Sequence, residues 1–182
     1  MNFLDLANKR YSVRNYSDKP VEKKNIYKCI EAARLSPSAC NSQPWHFVII
    51  DDIDLKNKIA KETLIPLSDM NKFTLDAPVI VVLVIEKKNI SSNIGSFFRN
   101  KDFSLIDIGI AAEHFCLQAA EEDLGTCMLG WFNEKIVKKL LKIPDSRHIG
   151  LLISLGYPKE ENVKEKSRKP LDDICSFNEY KR

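Results

Sequence analysis

A chain of 182 residues and 20.9 kDa has a size that one hydrophobic core can organise. With 44% hydrophobic and 29% charged residues, and 28 Lys+Arg against 25 Asp+Glu for a net +3, it is neither disordered nor built for a bilayer, and its charge names no partner. Six glycines, at 95, 109, 125, 130, 150 and 156, leave no Gly-x-Gly-x-x-Gly and no Walker-type loop, so a nucleotide would have to be gripped by side chains.

The N-terminal MNFLDLANKR lacks the basic start and apolar run of a signal peptide, and a cytoplasmic location is expected. A short helix is predicted over Phe3 to Lys9, then a second over Glu22 to Leu35, with Ile26, Ile30 and Ala33 at helical spacing before Ser36-Pro37 stops it. WHFVII, Trp45 to Ile50, is too short for a helix and β-branched at its end, which makes it a strand. Asp54 to Leu64 repeats the helical pattern. The longest apolar run, Ala77 to Ile85, falls far short of the roughly 20 residues that span a membrane; it contains a strand, Val79 to Ile85, without polar alternation and so buried on both faces. Residues 87 to 103 are polar and mixed, as in a loop or lid. Ser104 to Leu124 carries the strongest helical signal, with Leu105, Ile108, Ala112, Phe115 and Ala119 on one stripe and Gly125 placed as C-terminal cap. A short strand at Thr126 to Leu129, a basic helix capped by Asn133 and a last core strand, His148 to Gly156, follow. The alternation indicates an α+β, layered domain spanning residues 1–182 with a sheet that need not be purely parallel. Residues 157–182 form a tail, hydrophilic and then apolar at Ile174, Cys175, Phe177 and Tyr180.

The usual catalytic devices are missing. His46, His114 and His148 form no His-Glu-x-x-His pair, no serine sits in a Gly-x-Ser-x-Gly elbow, and the five cysteines show no Cys-x-x-Cys. No metal site, no triad and no disulfide framework is expected. Two other segments carry chemistry. Arg10, Ser12 and Arg14 occupy alternate positions, and in an extended backbone they point one way, supplying the charge and forked donors that a phosphate monoester needs; taken alone, the segment also suits an exposed helix exit. Ser36 to Trp45 (SPSACNSQPW) joins a helix to a strand with small residues, two prolines and two amides, which suits either the edge of a flat heteroaromatic ring or an ordinary polar turn.

Together with the later DLGTCMLGWF and the C-terminal KSRKPL, the motifs RYSVRNY and SPSACNSQPWHFVI resemble, in order and spacing, the FMN-dependent nitroreductase family. The resemblance covers nearly the whole chain. It implies a nitroreductase-like fold, a central mixed or antiparallel sheet flanked by helices, and a homodimer in which the C-terminal arm is exchanged and flavin sites lie at the interface. It implies a flavin phosphate held by Arg10, Ser12, Arg14, Lys166 and Arg168. Pro37, Ser38, Ala39 and Asn41 of the other subunit would face the flavin, with Gln43 in the same motif, and Met128, Leu129 and Gly130 would flank the ring. The family's polar residue before the second strand falls on Asn71 or Lys72, with Asn71 taken as the contact. Leu129 stands where several relatives carry an acidic residue.

The implied activity is an FMN-dependent oxidoreductase that uses NADH or NADPH to reduce nitroaromatics, quinones or related small-molecule acceptors by a ping-pong hydride mechanism. The flavin carries the chemistry, so no catalytic side chain is expected. Phe97, Phe98 and Trp131 are candidates for stacking on an aromatic acceptor. Other reactions on the same flavin and fold are reductive dehalogenation and flavin fragmentation. A non-catalytic polyanion-binding protein is a third reading, disfavoured by the even charge; neither nucleic acid nor membrane is expected as a partner.

Overall fold

The computed structural model describes residues 1–86, 102–160 and 166–180. Helix α1 (Phe3–Lys9) starts on a reciprocal cap, in which Asn2 Oδ1 accepts the Asp5 amide at 3.0 Å and the Asp5 carboxylate accepts that of Asn2. Helix α2 (Lys23–Arg34), strand β1 (Trp45–Ile50), helix α3 (Ile53–Lys61) and strand β2 (Val79–Ile85) follow, and then α4 (Phe103–Glu121), β3 (Gly125–Leu129), α5 (Glu134–Leu141) and β4 (His148–Gly156). Polar N-caps fix three of these helices: Asp52 for α3, Asp102 for α4 and Asn133 for α5 each accept a backbone amide two or three residues on.

The four strands lie in the order β1-β2-β4-β3 with every pair antiparallel. Strand β2 is central and apolar on both faces because helices cover both. Val79, Val81 and Leu83 pack with Ile26 and Ala33 of α2 and with Ile108, Ala112 and Phe115 of α4. Ile80, Val82 and Val84 pack with Ile59 of α3 and Val137 of α5. Each such side chain contributes about 1.5–3 kcal/mol by leaving water. The α+β layering follows from this two-sided burial. No helix among the described residues is long and apolar enough to cross a membrane.

Beyond β3 the N-terminal segment adds an edge. Ser12 bridges Thr126 in parallel, and the Val13 amide donates to the Thr126 carbonyl at 2.9 Å. This approach explains Gly125, expected from sequence to cap α4. The helix ends at Glu121 with Glu122 as its cap, and the chain reverses at Asp123 with φ 58°; Asp is among the few residues with a side chain that tolerates this left-handed region. Gly125 is already strand, and a Cβ there would sit 2.4 Å from Val13 Cγ2. Leu105 also departs from the predicted core stripe, being 55% exposed. It lies in the first turn of α4, which overhangs the end of the sheet where Ile85 and His148 line the same cleft.

Candidate functional site

Helix α1 ends where Arg10 turns extended, at φ −67° and ψ 118°. From there residues alternate as strand geometry requires: Tyr11 is half-buried and Val13 buried, whereas Ser12 and Arg14 are exposed. Arg10 is mostly buried, and its Nε lies 3.2 Å from Glu113 Oε1 on α4. The Arg14 guanidinium carbon stands 6.0 Å from the centroid of Phe73, a ring that packs with Val13, Tyr16 and Ala77. Both arginines and Ser12 act on the thiol of Cys127. Burial pushes that thiol up, while Arg14, Ser12 and Arg10 pull the other way.

The far end of the chain reaches the same place. Lys166 donates from Nζ to the Ala7 carbonyl in α1. Its pKa is lowered by burial first, then by the positive charges of Arg10 and Arg168, with Glu113 opposing. Two ends of the chain therefore bring Arg10, Arg168 and the Glu113 carboxylate close enough to act on the Lys166 ammonium. Such a cluster offers charged donors to an anion. A phosphate monoester suits that donor set in charge.

The loop from Ser36 to Pro44 is held by an internal frame. Gln43 donates its amide to Ser38 Oγ at 2.9 Å and its side-chain Nε2 to Asn41 Oδ1 at 3.0 Å. Cys40, Asn41 and Gln43 all have positive φ, 52°, 50° and 46°, a concentration of left-handed backbone costing about 1–2 kcal/mol per residue. Strain of this kind persists where surrounding contacts over-determine it. Buried Asp107 of α4 provides one such contact, accepting the Ala39 amide at 3.1 Å. Pro37 is exposed and Ser38 half-buried at the rim of this loop.

The other expected residues are dispersed around this frame. Asn71, left-handed at φ 70° and buried, donates to the Thr63 carbonyl at 3.0 Å. Its network runs through Thr63 and Thr74 and fixes the turn that bears Phe73. Met128 is 37% exposed, Leu129 is buried in the core on the α5 side, and Gly130 follows at the surface with nothing within 4 Å of where a Cβ would be. Trp131 is exposed. Phe97 and Phe98 lie outside the described residues, as does most of the loop predicted over 87–103. Three cysteines, 29, 116 and 127, are buried as free thiols, and no group of three metal-binding side chains exists among the described residues.

Sequence reasoning missed Glu113, Asp107 and Phe73. A signal for Asp107 was present: a carboxylate inside the apolar run SLIDIGIAA demands a partner if that face is buried. No comparable signal marks Glu113, a half-exposed acid on a helix. A cleft of about 620 Å³ opens along the N-terminal segment, lined by Arg10, Tyr11, Val13, Leu124 and Tyr157; its charged rim, with Lys9, Lys19, Glu122 and Asp123, is mixed in sign.

A sequence profile described as "Nitroreductase family" matches residues 7–157. The chain is similar to a nitroreductase family protein from Clostridium novyi NT, with 31% identity, 91% of this chain and 89% of that one covered, and a TM-score of 0.78. It is similar to an FMN-dependent nitroreductase from Clostridium difficile R20291, at 27% identity, 98% and 100% coverage and a TM-score of 0.76. It also resembles the oxygen-insensitive NADPH nitroreductase of Helicobacter acinonychis, 29% identical over 205 residues and covering 94% of each chain.

Proposed function

Because this chain belongs to the nitroreductase family, we propose that it is an FMN-dependent oxidoreductase drawing electrons from NADH or NADPH to reduce nitroaromatics, quinones or related small acceptors. The observation that carries this reading is the cationic cluster of Arg10, Lys166 and Arg168, assembled from both ends of the chain beside Ser12 and Arg14. Bound FMN would supply the two-electron chemistry, and these side chains would offer donors to its phosphate.

The protein's own part is binding, orientation and exclusion. Arg10 and Arg14 present forked donors, Ser12 a hydroxyl and Lys166 an ammonium to the phosphate. In a homodimer, the framed loop of one copy, with Pro37, Ser38, Ala39, Asn41 and Gln43, would face the flavin of the other, and Asp107 would keep that loop in register. Met128, Leu129 and Gly130 would border the ring, where a missing Cβ at Gly130 leaves room for a flat ligand. Nicotinamide and acceptor would then use one opening in turn, which gives ping-pong kinetics.

Two apolar surfaces support the homodimer. Helix α4 leaves Leu105 and Ile106 more than half exposed, and the tail presents Leu171, Ile174, Phe177 and Tyr180 at intervals of three, all exposed. Exposed apolar area of this extent marks an interaction surface, and an exchanged arm would cover it. Arg10→Ala combined with Arg168→Ala tests the phosphate assignment. FMN retention through gel filtration should fall at least tenfold with the circular dichroism spectrum unchanged; undiminished flavin content would refute the clamp.

A further inference from the structure

We propose that Glu113 is an internal anion of the phosphate clamp, a carboxylate that competes with the incoming phosphate for Arg10 and so limits how strongly the protein prefers FMN to riboflavin. The inference rests on the flavin-phosphate reading above. Glu113 Oε1 approaches Arg10 at Nε, 3.2 Å away, from α4, an element that provides none of the residues expected to hold the phosphate. The two side chains differ in burial: 20% of Arg10 is exposed against 45% of Glu113. The guanidinium is thus fixed in place and the acid faces water, so the acid can give way to another anion at small cost in solvation.

Glu113 also acts on Lys166, where it opposes the depression caused by the two arginines, and on the buried thiol of Cys116, which it helps to raise. Its field therefore extends through the cluster rather than to Arg10 alone. In the absence of phosphate it relieves cation–cation repulsion; with phosphate present it becomes a like charge beside the ligand.

The test is titration of the flavin-free protein with FMN and, separately, with riboflavin, which lacks the phosphate, using flavin fluorescence at low and high salt. Glu113→Gln and Glu113→Ala should each lower the FMN Kd about threefold to thirtyfold at low salt, the range expected for one unit charge a few ångströms away in a partly exposed site. The gain should shrink as salt screens it, and riboflavin affinity should not move. FMN binding that is unchanged or weaker in Glu113→Gln overturns the inference. So does weaker binding in Glu113→Ala with wild-type binding in Glu113→Gln, the pattern of a residue that only orients Arg10. If Glu113→Ala fails to fold, Glu113→Gln decides alone. A wild-type protein that binds FMN no better than riboflavin defeats the clamp reading itself, and the role of Glu113 with it.

Discussion

Lys166 shows how a single side chain can carry evidence of a ligand. Its ammonium is partly buried, bonded to the Ala7 carbonyl and crowded by Arg10 and Arg168, so its pKa lies below that of an ordinary lysine. A phosphate would need the charged form. As pH rises through the depressed value the ammonium loses its proton, and FMN affinity should fall at a lower pH than a free lysine would dictate. Lys166→Arg keeps the charge to far higher pH and should move that loss upward, as flavin fluorescence titrations across the alkaline range will show. The basic character of this site was readable from spacing alone, since Arg10, Ser12 and Arg14 alternate and the first 34 residues hold eight Lys or Arg against four Asp or Glu. Glu113 was not readable, because an acid on a helix acquires meaning only when folding sets an arginine 103 residues away in sequence against it.

At the scale of elements, hydrophobic periodicity placed most helices and strands to within a few residues. α1, β1, β2 and β4 have the bounds read from sequence, because each is delimited by a sharp change from apolar to polar or by proline. The end of α4 was misjudged for a physical reason. Glycine after an apolar helix usually caps it, but here Asp123 makes the reversal and Gly125 serves the contact between β3 and the N-terminal segment. Gly125→Ala should therefore do more than shorten a strand. With its Cβ forced against Val13, the substitution should destabilise the fold by about 1–3 kcal/mol, read as a lower urea midpoint at constant slope. The same shift should carry Ser12 and Arg14 out of position. Equally hidden from sequence was the frame around Cys40, Asn41 and Gln43, whose left-handed backbone follows an Ala39 amide held by a buried aspartate in a distant helix.

Across the whole molecule, a net charge of +3 carried little information until its distribution was known. The chain brings its first and last segments together at α1 and leaves apolar surface on α4 and the tail, which the proposed homodimer would cover. The most direct test of the central claim is one visible absorption spectrum. Protein is mixed with FMN, freed of unbound flavin by gel filtration, and recorded under argon before and after NADH or NADPH. The account predicts flavin bands that travel with the protein and bleach with at least one of the two nicotinamides. A protein that emerges colourless, or whose bound flavin stays oxidised with both, would contradict it.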